Sequence, residues 1–152
     1  MNKLHLQILG VPFAKQSFRF AQMKSKSGQA FIAKYQPKKV KEGEANVRTQ
    51  IIEQLPKGFI PWTQGVQINW IHFKFPILKS MSKREKSLCR MIRVYKTTKP
   101  DLTDNLMKGL FDAMKGIVFN DDSQICQIES VIKVYSDTPM IDIELEEMVF
   151  LK

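Results

Sequence analysis

The amino-acid sequence predicts an α+β fold: a small mixed β-sheet with helices packed on one face, in a single domain over residues 1–152. Three observations lead there. Period-two alternation occurs at both ends of the chain and in its middle, helical spacing lies between, and the order β, ribbon, α, β, short α, α, β, β is not a run of βα units. The 152 residues suffice to bury roughly two-thirds of the unfolded surface without staples. No internal repeat or Gly/Ser linker argues for a second domain.

Leu4, Leu6 and Ile8, with Val11 as a further candidate, alternate as a strand ended by Gly10 and Pro12. From Phe18 to Tyr35 aromatic residues are mixed with Arg19, Lys24, Lys26 and Lys34 around a Ser27–Gly28 turn, which suits a two-stranded ribbon or an ordered loop. Pro37 starts a helix that keeps its spacing to Leu55, where Pro56 and Gly58 stop it; Gly43 weakens it by up to about 1 kcal/mol relative to Ala. Val66, Ile68, Trp70, His72 and Lys74 alternate with Gln67, Asn69, Ile71, Phe73 and Phe75. Both faces are partly apolar, so this strand is expected to be central. Ser80 or Ser82 can cap a short basic helix. A longer helix runs from near Asp101 to Met114, ended by Gly116. Two strands, 125–135 and 140–147, joined by a Ser-Asp-Thr-Pro turn, close the chain.

Charge is distributed unevenly. Residues 1–100 hold 20 basic against 4 acidic side chains and residues 101–152 hold 4 against 11, for a formal net charge of +9. That asymmetry suggests a basic surface for a polyanion beside an acidic pocket for a hard cation. The pI near 9.6 favours nucleic acid over a membrane surface. No apolar run approaches the roughly 18 residues of a membrane span, and the start MNKLHLQILGVPF is too polar for a secretion signal. Cys89 and Cys126 show no ligand spacing, and no acidic or histidine partner makes either a nucleophile. No Gly-rich phosphate loop occurs, which disfavours a nucleotide cofactor. His5 and His72 sit in strand patterns as sheet-face or core residues, and packing accounts for Trp62 and Trp70. A cytoplasmic protein is expected.

The run from Lys99 to Ile125 concentrates Asp101, Asp104, Asp121 and Asp122. On a wheel of about 100° per residue, Leu102, Leu106, Leu110, Ala113 and Met114 form a core-facing stripe, with Asp101, Asp104 and Lys108 opposite. Two carboxylates at a helix start and an ammonium one turn on could hold a divalent cation and reach a phosphate. Aspartates at a helix start are equally favoured by capping and the helix dipole, and Asp121-Asp122 stands where turns place aspartates. The pairing of two acidic clusters through one helix, in an otherwise basic chain, favours the chemical reading.

The pattern Lys99-Pro100-Asp101, Asp104-Asn105, Lys108, then Asp112-Ala113 and Gly116, then Asp121-Asp122 and Gln124 resembles the RusA family of Holliday-junction resolvases, in its phage and prophage branch. FPILKSMSKREK (75–86) and GVPFAKQSFRF (10–20) are similar to further segments of that branch. The family has one residue between its first two aspartates, where this chain has Leu102 and Thr103. The i,i+3 spacing still allows one face; alternatively Asp101 lies just outside the helix with Asp104 near the cap.

The resemblance implies a RusA-like fold and Mg²⁺-dependent hydrolysis of DNA, with Mn²⁺ as a substitute. It implies Asp104 and Asp122 as metal ligands, Asp101 next, and Asp121 as an outer ligand or turn former. Asp101, Asp104, Asp122 and Lys108 would be catalytic, Lys108 countering charge on the phosphoryl oxygens and Asn105 orienting a carboxylate or water. Four carboxylates packed together without a cation would raise at least one pKa. Lys15, Arg19, Lys24, Lys26, Lys79, Lys83, Arg84, Lys86, Arg90, Arg93 and Lys99 would meet the DNA backbone, though for any one of them a solubilising role is the simpler account. Phe18 and Phe20 could wedge into a junction, or simply join the core. Symmetric cutting of a four-way junction implies a homodimer, with the segment near Phe13–Phe20 or the last strand as its interface, acting at the bacterial nucleoid. The competing readings are a metal-dependent nuclease for forks, flaps or RNA, and a non-enzymatic DNA-binding protein.

Overall fold

In the computed structural model, which describes residues 2–15 and 19–149, the first alternation forms β1 (Lys3–Leu9), burying Leu4, Leu6 and Ile8. Gly10, at φ 108°, then turns the chain away. Of the two readings of residues 18–35, the ribbon holds: β2 (Arg19–Lys24) and β3 (Ala30–Tyr35) pair antiparallel. Phe18 lies outside the described residues. α1 (Lys38–Gln54) follows Pro37 and buries Val40, Val47 and Ile51.

β4 (Val66–Pro76) is the centre of a mixed sheet. β7 (Met140–Glu147) pairs antiparallel on one side of it, and β1 pairs antiparallel with β7. On its other side β5 (Ile125–Ile128) and β6 (Val131–Ser136) run parallel to it in succession. The expected strand 125–135 is thus two strands, broken at Glu129 and Ser130. The break lies beside a bulge in β4, where Glu129 N–H donates to Ile68 and Ile71 N–H donates to Ser130, each at 2.9 Å. The last strand, named above as an interface, lies inside the sheet between β1 and β4.

The same bulge corrects the expected faces of β4. Register shifts between Ile68 and Trp70, so one residue is unmatched and inward-pointing parity changes. Val66 and Ile68 face the core before it, and Ile71, Phe73 and Phe75 after it. Apolar residues on both alternation sets therefore share one face. The opposite face carries His5, whose Nε2 lies 2.7 Å from Asp142, and Trp70, whose ring meets those of His5 and His72. Both histidines are sheet-face residues.

α2 (Lys83–Met91) starts in a capping box, with Glu85 N–H donating to Ser82 Oγ at 3.2 Å and Ser82 N–H to the Glu85 carboxylate at 2.6 Å. α2 packs beside β6. The remaining helical segment, residues 102–114, joins α1 on the sheet's inner face, where Val47, Ile51, Leu106, Leu110 and Met114 meet the inward residues of β1, β4 and β7. Two glycines shape that contact. A Cβ at Gly43 would stand 2.5 Å from the ring of Phe13, and one at Gly109 would stand 3.1 Å from the same ring. Phe13 thus wedges between two helices at points where neither has a side chain. Among the described residues no helix is long and apolar enough to cross a membrane.

Candidate active site

The acidic helix departs from the expected geometry at its start. Leu102–Met107 is π-helical and only Lys108–Met114 is α-helical (α3), with Asp101 extended outside the helix at φ −69° and ψ 141°. Leu106 N–H donates to the Asp101 carbonyl at 3.1 Å, five residues back. A π-turn absorbs one extra residue in a helix, and Leu102 with Thr103 supplies one more residue than the resemblance pattern holds. The 100° wheel therefore applies only from Lys108 onward. Asp101 takes the second of its two expected placements.

Asp101, Asp104 and Lys108 are exposed at this end. Their approach is fixed from β6, because Lys133 Nζ donates to the carbonyls of Thr98 at 2.6 Å and Pro100 at 2.7 Å. Burial and the neighbouring Lys96 lower the Lys133 pKa, while Asp101 opposes that shift. Residues 94–98 are laced to the same strand: Tyr135 N–H donates to Val94 at 3.1 Å and Lys96 N–H to Lys133 at 2.8 Å. Lys96 Nζ lies 5.3 and 5.5 Å from the ring centres of Phe75 and Tyr135. The Asn105 amide, oriented by its hydrogen-bonding surroundings, donates to the carbonyls of Asp104 at 3.2 Å and Lys15 at 3.3 Å. It braces backbone rather than a carboxylate.

At the helix's far end the acids are partnered. Lys115 forms an ion pair with Asp121, and with Asp122 and Asp112 nearby its pKa is raised. The Lys115 ammonium, with Ser123 N–H, holds the Asp121 carboxyl well below the usual carboxylate range. Asp121 also caps the turn Asp122–Gln124. Gln124 fastens that turn, accepting from the N–H groups of Asn120 and Asp121 and donating to the carbonyls of Trp62 and Gln64. Lys15 Nζ lies 2.5 Å from Asp112 and 3.9 Å from Glu44, with only 16% of its side chain exposed.

The four aspartates consequently do not crowd into one pocket. Asp101 and Asp104 lie at one end of residues 102–114, and Asp121 and Asp122 at the other. The expected upward pKa shift from crowding is reversed at Asp121, because Lys115 stands beside it. Among the described residues no group of three or more His, Cys, Asp or Glu could hold a metal ion. A hard cation that keeps most of its waters needs only one or two carboxylates. Asp101 and Asp104, exposed and without an ion pair or side-chain hydrogen bond among the described residues, fit that limited role; Asp121 does not.

The basic residues fall into three places. Arg19, Lys24 and Lys26 are exposed on the ribbon. Lys79, Lys83, Arg84 and Lys86 lie on or before α2 with Arg90, which is paired to Asp137 at 2.9 Å. Arg93 and Lys99 are exposed on the link to Asp101. Lys15 is instead held inside the fold by Asp112. Residues that receive no role from sequence include Lys133, Lys115 and Asp112. A signal for Lys133 is present: it stands between Val131 and Tyr135, opposite core residue Phe73, so a lysine occupies an inward strand position.

A family model described as Endodeoxyribonuclease RusA matches residues 10–146 of the chain. The chain is also similar to the uncharacterized protein YqaN of Bacillus subtilis (strain 168), with 38% identity over 77 residues, covering 48% of this chain and 51% of that protein. The chain thus matches about half the length of this curated relative.

Proposed function

The chain belongs to the RusA endodeoxyribonuclease family, and from that premise we propose that it is a metal-dependent nuclease that resolves four-way DNA junctions by paired, symmetric cuts. The observation that carries this reading is the helix start, where Asp101 and Asp104 are exposed and uncommitted, with Lys108 four residues on and a basic link leading in. Asp104 and Asp101 would hold Mg²⁺, or Mn²⁺ in its place, which when bound polarises the scissile phosphate and activates water.

The chain's own groups do the rest. Lys108 counters negative charge on the phosphoryl oxygens. Lys133 holds the carbonyls that set the position of Asp101. Arg93, Lys99 and the basic residues around α2 meet flanking phosphates without reading sequence. Asp122, exposed next to the Lys115–Asp121 pair, is the remaining candidate ligand, and its variant decides whether both ends of the helix serve one reaction. Two cuts placed across a junction's two-fold axis call for two copies of the site, hence a homodimer.

A nicking assay on junction, fork, flap and linear duplex DNA and on RNA, each with Mg²⁺ or EDTA, tests the reading. Paired nicks in the junction with Mg²⁺ alone support it. Preference for forks, flaps or RNA reassigns the substrate, and binding without cutting under every condition leaves a non-enzymatic DNA-binding protein.

A further inference from the structure

The ribbon β2–β3 stands apart from the rest of the described fold. Its strands bond to each other and share no extensive packing with another element, and none of its residues belongs to the hydrophobic core. A lone two-stranded hairpin is marginal in water, yet this one exposes large apolar side chains on both faces. On one face Phe20 and Ile32 are 68% and 74% exposed. Phe20 stands opposite Lys34, Gln22 opposite Ile32 and Lys24 opposite Ala30, and facing residues in an antiparallel pair share a side. Phe20 and Ile32 are therefore diagonal neighbours flanked by two lysines. On the other face Met23 stands opposite Phe31, and Arg19 opposite Tyr35. All charged residues from 19 to 35 are basic, and the first acidic residue of the chain is Glu42.

We propose that this ribbon engages unstacked bases at the branch point of DNA, with Phe20 and Ile32 against base faces and the neighbouring lysines against phosphates. The inference rests on the reading that branched DNA is the substrate. Apolar π-faces alternating with anionic phosphates are what this surface complements, and insertion of apolar side chains at disrupted base steps is an established way of gripping distorted DNA. Continuous duplex keeps its base faces stacked, so the apolar contribution is confined to the branch. Ribbon against ribbon in a second copy would oppose two purely positive surfaces.

The full chain is tested by equilibrium binding in EDTA to an immobile four-way junction and to a linear duplex of matched length. Phe20→Ala/Ile32→Ala should weaken junction binding about tenfold or more, leave duplex binding within about twofold, and keep the salt slope. The same variant should abolish the fluorescence change of 2-aminopurine placed at the crossover. Lys24→Ala/Lys26→Ala should weaken both complexes and flatten the salt slope by about one unit for each phosphate no longer neutralised. Thermal melting verifies that each variant is folded, which the exposure of these side chains favours. An unchanged junction-to-duplex ratio in the apolar variant overturns the proposal, as does loss of a dimer in sedimentation with that ratio intact. A wild-type protein with equal affinity for junction and duplex fails at the earlier step, the substrate itself, and takes this inference with it.

Discussion

Lys133 Nζ lies 2.7 Å from the carbonyl oxygen of Pro100, tying the middle of β6 to the residue before Asp101. The lysine occupies an inward position of the strand, opposite Phe73, where an apolar side chain would otherwise be expected. Lys133→Met should keep DNA affinity within about threefold, since one inward side chain meets no phosphate. It should lower the single-turnover cutting rate by about ten- to a hundredfold, the cost of misplacing a reacting group by an ångström. Lys133→Arg, which retains the donors, should recover part of the rate. A Met variant that cuts normally removes the positioning role.

Lys108 has a different task. Lys108→Ala should reduce the single-turnover rate at saturating DNA by about a hundredfold or more. Its affinity should change little, because many other cations still meet the phosphates. Weakened binding with an unaltered rate would make Lys108 an anchor.

Gly43 and Gly109 both give way to the ring of Phe13. Alanine normally favours a helix by about 1 kcal/mol over glycine, but at Gly43 the added Cβ would meet Phe13 Cδ2 at 2.5 Å. Gly43→Ala should therefore destabilise, by about 1–3 kcal/mol, as read by urea unfolding. Phe13→Leu in the same chain should recover part of that loss; a stabilised Gly43→Ala protein would contradict the packing.

His72 makes stability depend on pH. Burial, with the positive charges of Arg93 and Lys74, lowers its pKa from 6.5, against a smaller opposing pull from Asp142. Between the lowered value and 6.5 the unfolded chain binds more protons than the folded one, so stability rises with pH across that window and falls on acidification through it. The Tm should drop as pH is taken from about 7 to about 5.5, and His72→Gln should flatten that dependence. Equal slopes in the two proteins would show that His72 contributes none of it.

Much of this fold is legible from period and punctuation. Leu4, Leu6 and Ile8, the helix after Pro37, the Ser82 cap and the central position of β4 all follow from local rules. Two departures from that pattern each come from one inserted residue. The β4 bulge at Asn69 moves Ile71, Phe73 and Phe75 onto the face of Val66 and Ile68, which fixed period-two alternation cannot register. The π-turn at 102–107 does the same to the 3.6-residue wheel and sets Asp101 outside the helix. Long-range pairing is the other blind spot. The expectation of four crowded carboxylates omits Lys115, and the expectation that Lys15 meets DNA omits Asp112, 97 residues away in sequence, which pairs with it. From spacing alone Phe20 is as readily a core residue as a wedge; its 68% exposure removes the core reading.

On the proposed function, the exposed carboxylates at the helix start do chemistry beyond capping. The most direct test is Asp104→Asn, assayed on a four-way junction for cutting with Mg²⁺ and for binding in EDTA, with Asp101→Asn and Asp122→Asn alongside. Asp104→Asn should lose at least about a hundredfold in rate while binding the junction as tightly as wild type or more so, because a negative charge near phosphate is gone. Cutting at the wild-type rate by Asp104→Asn would contradict the account.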